Sequence, residues 1–311
     1  MRRSTTLVLL ALACGAVAIM GLCAGPSGWY LPWQASDIVT ELRAPRVLLA
    51  GIVGASLALA GVAMQSLLRN DLADPYVLGL SGGASAGAVA SLALWPGVPP
   101  GPLAAAGAGG AAALVQWLAR GPYDPTRLLL SGVAVSSLLA STTGLVLVMS
   151  PEGRLLRGAM FWLFGGVGTP LWSALILPAG LLVFAVGWML TRSERLDRFT
   201  LGSDEAAALG VDVLALRRTI LLISVILTAV SVAACGLVGF VGLIAPHVAR
   251  QLVGQPHRHV IPTAAFGGAL LVMSADTVAR TVFAPREVPV GLLTATVGGP
   301  MFLWLLQRGA R

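Results

Sequence analysis

The residues best suited to chemistry are few and stand apart in an apolar chain. Asp276 lies inside a long apolar run, with Arg280 four residues on. That spacing puts both on one helical face. A carboxylate at membrane depth must be paired or must line a cavity. Two roles are open to it: a structural ion pair with Arg280 near the outer surface, or the proton or ion site of a gradient-driven transporter. His247, His257 and His259 supply three imidazoles. No carboxylate or thiol joins them in a ligand pattern, and two of them fall in an expected cytoplasmic turn, so no metal site is assigned. Ser81 and Ser85 lie in Gly-rich sequence without a nearby His, so no hydrolase centre is assigned either. Cys14, Cys23 and Cys235 sit in apolar runs without a CxxC pair and read as packing residues.

The cations narrow the field further. All 20 basic residues are Arg. Without Lys there is no Walker A phosphate loop and no Schiff-base lysine. ATP that powers this protein is therefore expected to be hydrolysed on another chain. The net charge of +7 is read as Arg-rich membrane loops and not as a nucleic-acid surface.

Three segments are built for contact. Arg43-Ala-Pro-Arg46 places two Arg beside a stiffening Pro45 at a membrane edge. They serve either as snorkelling anchors or as a dock for an acidic external partner, since the guanidinium fork binds carboxylates bidentately. Asn70-Asp-Leu-Ala-Asp-Pro75 is a tight cytoplasmic turn, either a plain hairpin or a loop that closes a pore. Thr200–Gly210 reads as a short helix: Ser203 as its cap, Asp204 and Glu205 in the first turn, Ala206–Leu209 continuing and Gly210 ending it. It is either a link between spans or a docking element for a cytoplasmic partner.

The elements that hold these residues follow from composition. Of 311 residues, 57% are apolar and 11% charged, against about 25% charged in soluble domains. A span takes about 20 apolar residues, so the chain is an all-α polytopic membrane protein with roughly eight to ten crossings. Apolar runs place them at Leu7–Ala24, Val47–Leu68, Tyr76–Leu94, Pro102–Ala119, Leu128–Met149, Leu171–Leu190, Thr219–Leu237, Phe240–Val253, Val260–Val282 and Val290–Leu306. The first run has an alternative as a signal peptide ending near Ala24–Gly25. With the N-terminus inside and ten crossings, 14 Arg fall on the cytoplasmic side. Six fall outside: Arg43, Arg46, Arg154, Arg157, Arg280 and Arg286. Both termini are therefore expected in the cytoplasm. The Ala/Gly run Ala104–Ala113 is expected to pack inside the bundle. Leu72-Ala-Asp-Pro-Tyr-Val77 echoes Leu243-Ile-Ala-Pro-His-Val248, which suggests one domain, 1–311, of two inverted repeats. These run over about 47–149 and 219–307, with the loop 191–218 between.

Taken together, several stretches resemble the FecCD-type permease subunits of binding-protein-dependent ABC importers for iron–siderophores, heme and cobalamin. They are Arg43–Arg46, Gly61-Val-Ala-Met-Gln65, Asn70–Pro75 with Gly79 and Gly82-Gly-Ala84, Leu201–Gly210, Gly239–His247, Asp276 with Arg280, and Glu287-Val-Pro-Val-Gly291 through Gly298-Gly-Pro300. The resemblance covers nearly the whole chain. It implies a homodimer in the bacterial inner membrane with the pathway between subunits. Two cytoplasmic ATPase subunits would hold ATP and Mg and would dock on Ser203, Asp204, Glu205, Ala208, Leu209 and Gly210. An external binding protein would deliver substrate to Arg43, Arg46 and Arg280. Asn70, Leu72 and Thr126 match positions that close the cytoplasmic end. No catalytic residue, metal or cofactor is implied on this chain. One departure stands out: Asp71 occupies a position where the family usually has Pro, which frees the turn and adds a carboxylate.

Charge reversal at Arg43 and Arg46 is expected to weaken delivery and spare folding. Phe161–Gly168 and Thr294–Trp304 look somewhat like cobalamin permeases, but related iron-chelate and heme permeases carry close variants. The rivals are a gradient-driven transporter using Asp276 and a membrane enzyme using the His cluster.

Overall fold

The computed structural model describes residues 2–25, 28–30, 37–121, 124–150 and 153–309. Among these are thirteen α-helices: α1 Arg2–Cys23, α2 Ala44–Leu68, α3 Leu80–Leu94, α4 Gly101–Leu118, α5 Pro125–Met149, α6 Gly153–Leu163, α7 Ile176–Thr191, α8 Ser193–Leu201, α9 Ser203–Ala208, α10 Val213–Cys235, α11 Val241–Val253, α12 His257–Thr281 and α13 Val290–Gly309. All ten apolar runs are helical. Six of them are long and apolar enough to cross a membrane: 4–23, 38–68, 125–149, 172–191, 213–235 and 257–281. The other four form α3, α4, α11 and α13.

Local chemistry sets the departures from the apolar pattern. The run from Tyr76 breaks because Pro75–Leu78 forms a 3-10 turn and Gly79 takes φ +81°, a left-handed conformation open to glycine. Asp74 starts that turn by accepting the Tyr76 N–H at 2.9 Å. α10 begins six residues before Thr219, because the Asp212 carboxylate accepts the Ala215 N–H at 3.0 Å and caps the helix there. α6 and α8 are amphipathic and too polar to register as apolar runs. α8 buries Leu196 and Phe199, three residues apart, and sends Glu194, Arg195 and Arg198 outward.

α2 is the axis of the molecule. It packs on α10, α11 and α12. Of its most apolar stretch 83% is buried, against 11% for α1 and 17% for α5, so those two helices lie on the periphery. Lipid supplies no hydrophobic drive between helices, so close approach of small residues must hold the axis. The α2–α12 crossing is glycine on glycine: a Cβ on Gly54 would run into the Gly268 carbonyl, and one on Gly268 into that of Gly54. Gly61 meets Gly242 of α11 in the same way. Polar links are sparse: Ser224 Oγ of α10 donates to the Ala60 carbonyl at 3.2 Å.

A second group, α3, α4 and α5, joins the axis through α4 and α10. The Ala/Gly run in α4 is packed on one stripe only. Ala104, Ala108, Ala111 and Ala112 are buried, whereas Ala106 and Gly110 are exposed, so that run is not enclosed on all sides.

Gly54→Leu should therefore force α2 and α12 apart, at a cost of about 1–3 kcal/mol. Thermal unfolding in detergent should show it as a lowered Tm. Gly187→Ala, with no neighbour near the added methyl, should not lower Tm.

Candidate functional site

Two polar clusters sit at opposite ends of the antiparallel α2–α12 pair. Arg46 and Ser66 of α2 are twenty residues apart, which is about 30 Å of helix. That is the thickness of a bilayer's hydrocarbon core. The clusters therefore lie at its two faces and leave the middle of the pair apolar.

The outer cluster centres on Asp276, which is 1% exposed. Arg46 Nε donates to Asp276 Oδ1 at 3.0 Å, and Arg280 Nε lies 3.5 Å from Oδ2. The expected i,i+4 partner is present, and a second arginine from α2 is closer. Arg46 Nη1 also donates to Glu287 Oε1 at 3.1 Å, on the half-exposed rim of the α12–α13 connection. Arg280 Nη2 donates to the Gly21 carbonyl at 2.6 Å. Arg43 Nη1 donates to the Leu22 and Cys23 carbonyls at 3.0 and 2.6 Å. Those are the orphan carbonyls at the C-terminus of α1, where the helix dipole favours cations. Arg43 and Arg280 thereby anchor α1, whose removal would strip both guanidiniums of these partners.

This placement corrects one expectation. Arg43, Arg46 and Arg280 are 4%, 7% and 2% exposed and are already bonded within the chain. Reversing Arg43 and Arg46 would bury two carboxylates against backbone carbonyls and Asp276, so it would not spare folding.

The inner cluster was not foreseen. Gln65 of α2 accepts from Arg250 Nη1 of α11 through Oε1 and donates through Nε2 to the Gly242 carbonyl at 3.3 Å. Asp71, the departure from the family pattern, lies 3.5 Å from Arg250 Nη1. The added carboxylate thus ties the turn to α11, and the turn is less free than the lost proline implied. Beside these, Ser66 Oγ lies 2.7 Å from His257 Nε2, and His257 Nδ1 lies 2.6 Å from Asp197 Oδ1 of α8. The same Asp197 oxygen accepts the His257 backbone N–H at 2.9 Å, at the start of α12. His257 and His259 thus lie in the first turn of α12, not in a loop. A cavity of about 470 Å³ opens here, lined by Gln65, Ser66, Arg69, Asp71, Asp197, Arg250 and His257 among others.

Burial alone would raise the Asp197 carboxyl. The bonds from the His257 ring and backbone, with the charges of His257 and Arg258, outweigh it and hold that carboxyl below its ordinary value.

The loop 191–218 carries α8 and α9. Ser203 does not cap α9: Gly202 precedes the helix with no side-chain cap bond. Ser203 Oγ instead accepts from Arg69 Nη2 at 3.4 Å and Arg217 Nη2 at 3.3 Å. Gly202 sits at φ +150°, with the Glu205 carboxylate folded back over it, so no side chain fits there. Ala206 is fully buried, while Asp204, Glu205, Ala208, Leu209 and Gly210 face water. Leu201 and Leu209 are 66% and 50% exposed, an acidic and apolar knob on a helix end.

The turn after α2 is an Asx turn: Asn70 Oδ1 accepts the Leu72 N–H at 2.9 Å. Thr126 stands exposed at the start of α5, its N–H held by Asp124 at 2.9 Å. The two regions are joined, because Gly132 of α5 lies against Val77, just after that turn. Among the described residues, no group of three or more His, Cys, Asp and Glu is placed to hold a metal ion.

The signals for the missed inner residues were faint. Gln65 is one amide in a mostly apolar helix, and its partner Arg250 lies 185 positions on. Asp197 sits in a charged segment where any one acid looks solvated.

Asp276→Ala should cost about 3–5 kcal/mol, because two buried guanidiniums lose their shared carboxylate. Glu287→Gln, on the rim, should cost about 1 kcal/mol or less. Thermal unfolding of the two variants in detergent checks the order. A second expectation concerns acid. The stability from a lowered Asp197 is complete above the ordinary carboxylate value of 3.8 and is lost as pH falls through the lowered value. In acid titrations of the wild type and Asp197→Asn, their stability difference should shrink only on that acid limb.

The chain can now be set beside known proteins. The model of the FecCD transport family matches residues 4–308. The Fe(3+) dicitrate transport system permease protein FecD of Escherichia coli is 39% identical, over 97% of this chain and 98% of its own. The hemin transport system permease protein HmuU of Yersinia pestis is 40% identical, over 86% and 82%. The cobalamin import system permease protein BtuC of Halobacterium salinarum is 40% identical, over 91% and 77%. A solved structure described as an inward-facing conformation of a metal-chelate type ABC transporter superposes with a TM-score of 0.88. It is 31% identical and covers 98% of this chain and 99% of its own. With a match along its whole apolar length and the same fold, this chain belongs to the FecCD transport family.

Proposed function

We propose that this chain is the membrane permease of a binding-protein-dependent ABC importer that carries an iron chelate, heme or cobalamin into the cytoplasm. The observation that carries the reading is the α9 knob. It exposes Leu209, Asp204 and Glu205 to the aqueous phase, in a chain that lacks Lys and therefore a phosphate loop of its own. Two partner subunits holding ATP and Mg would take that knob into a cleft. Their closure would swing two copies of the permease between inward-open and outward-open arrangements. Both termini would lie in the cytoplasm, and Asn70, Leu72 and Thr126 would close the inner end of the pathway.

On the outer face, the dock for the binding protein centres on Arg46. Its bond to Glu287 lies on the rim, so an incoming carboxylate would exchange with Glu287 while Asp276 keeps the guanidinium in place. Arg43 and Arg280 support that site from beneath through the end of α1.

Uptake in proteoliposomes with the cognate ATPase and binding protein tests the reading. Labelled cobalamin, heme and a ferric siderophore would be compared with and without ATP. The expected result is ATP-dependent uptake of one of them. Uptake that ignores ATP and follows a proton gradient would overturn the importer reading and favour Asp276 as an ion site. In the same assay Asp204→Arg with Leu209→Arg should cut uptake about tenfold or more. Both side chains face water, so the permease should stay folded.

A further inference from the structure

The inner cluster has a chemistry that the transport reading leaves unused. Ser66 Oγ lies 2.7 Å from the Val62 carbonyl and 2.7 Å from His257 Nε2. The Asp197 carboxylate only accepts, so Nδ1 carries the hydrogen of that contact. The ring thus bridges α8 to α2 through contacts on both nitrogens.

The residue types are those of an acyl-transfer triad. Here, however, Ser66 is 1% exposed, so its oxygen is not presented as a nucleophile.

We propose that Asp197, His257 and Ser66 form a hydrogen-bonded clamp that makes α8 and α9 one mechanical body with α2 and α12. His257 and Asp197 are then positioning residues for the coupling of ATP hydrolysis to transport. The proposal rests on the reading of α9 as the ATPase dock. Apolar packing by Leu196 and Phe199 holds α8 to the core without fixing its direction, whereas charge-assisted bonds of 2.6–2.9 Å do fix it. Asp197 also meets the N-terminus of α12, where the helix dipole favours a carboxylate. On its other side α9 is held at Ser203 by Arg69 and by Arg217 of α10. A push on Leu209 therefore reaches α2, α10 and α12 and is not absorbed by a bending loop. Arg69 and Asp71 after α2 and Arg250 of α11 line the same cavity, and Arg258 follows on α12. The acid bonded to the ring is Asp197, at 2.6 Å.

The test uses the full complex in proteoliposomes, with assembly, ATP hydrolysis and uptake read together. Asp197→Ala and His257→Ala should assemble and hydrolyse ATP, but uptake per ATP should fall about fivefold or more. The double variant should be no worse than either single. Asp197→Asn keeps an acceptor and loses the charge, so its uptake per ATP should lie between those of Asp197→Ala and the wild type, about twofold below the latter. Unchanged uptake per ATP in the assembled alanine variants would overturn the clamp, as would losses that multiply in the double variant. If the alanine variants do not fold, uptake per ATP of Asp197→Asn equal to that of the wild type would overturn it. A wild-type chain that does not bind the ATPase subunits at all would overturn the docking reading, and the clamp with it.

Discussion

One pairing carries the rest of this structure: α2 against α12, antiparallel and joined at three levels. Arg46 meets Asp276 at one end, Gly54 meets Gly268 in the middle, and Ser66 meets His257 at the other. The bilayer dictates this order. Its interior gives apolar helices no reason to prefer each other over lipid, so the middle must be held by close backbone contact. Charge is tolerable only near the faces, and the pinned ends stand about 30 Å apart. Other elements take their places from this pair. α1 is held at its C-terminus by Arg43 and Arg280. α11 packs through Gly242 and the Gln65–Arg250 contact, and α8 is fixed by Asp197.

The buried charges then read as architecture first and docking second. Asp276 lies between two guanidiniums, placed as the ion-pair partner that joins α12 to α2. Arg46 has one partner at depth and one on the rim, so a visiting carboxylate can replace the second without releasing the first. A fold organised this way can offer a cationic outer dock without an uncompensated charge inside.

Much of this was legible in the sequence, because membrane constraints are written in composition. The ten apolar runs, the paired Asp276 and Arg280, and the short helix ending before Gly210 follow from periodicity, the cost of a charge in lipid and glycine at a helix end. What was illegible has a physical reason in each case. Exposure of Arg43 and Arg46 was expected because they stand at a span's edge, but Arg43 is covered by carbonyls of α1, about twenty residues away, and Arg46 by Asp276 and Glu287, 230 and 241 positions away. The Ser203 cap failed because two arginines from α2 and α10 compete for its oxygen. His257 looked like a surface imidazole until α8 folded back on it, and its nearest partners lie 60 and 191 positions away. α6 and α8 were hidden because an amphipathic helix on a membrane face has no apolar run to announce it.

The central claim is that α9, proposed as the ATPase dock, and the α2–α12 pair move as one body. Spin labels at Leu209 on α9 and Phe283 beyond α12, with the native cysteines replaced, test it most directly. Both side chains are exposed. Pulsed dipolar spectroscopy on the assembled transporter with one labelled and one unlabelled permease would read the distance within one chain, and a second sample with Leu209 labelled in both copies the distance between them, each with and without bound nucleotide. The account predicts that this distance stays fixed while the distance between Leu209 labels on the two permeases changes. A change within the single chain would show that α9 moves independently of the pair, and would contradict it.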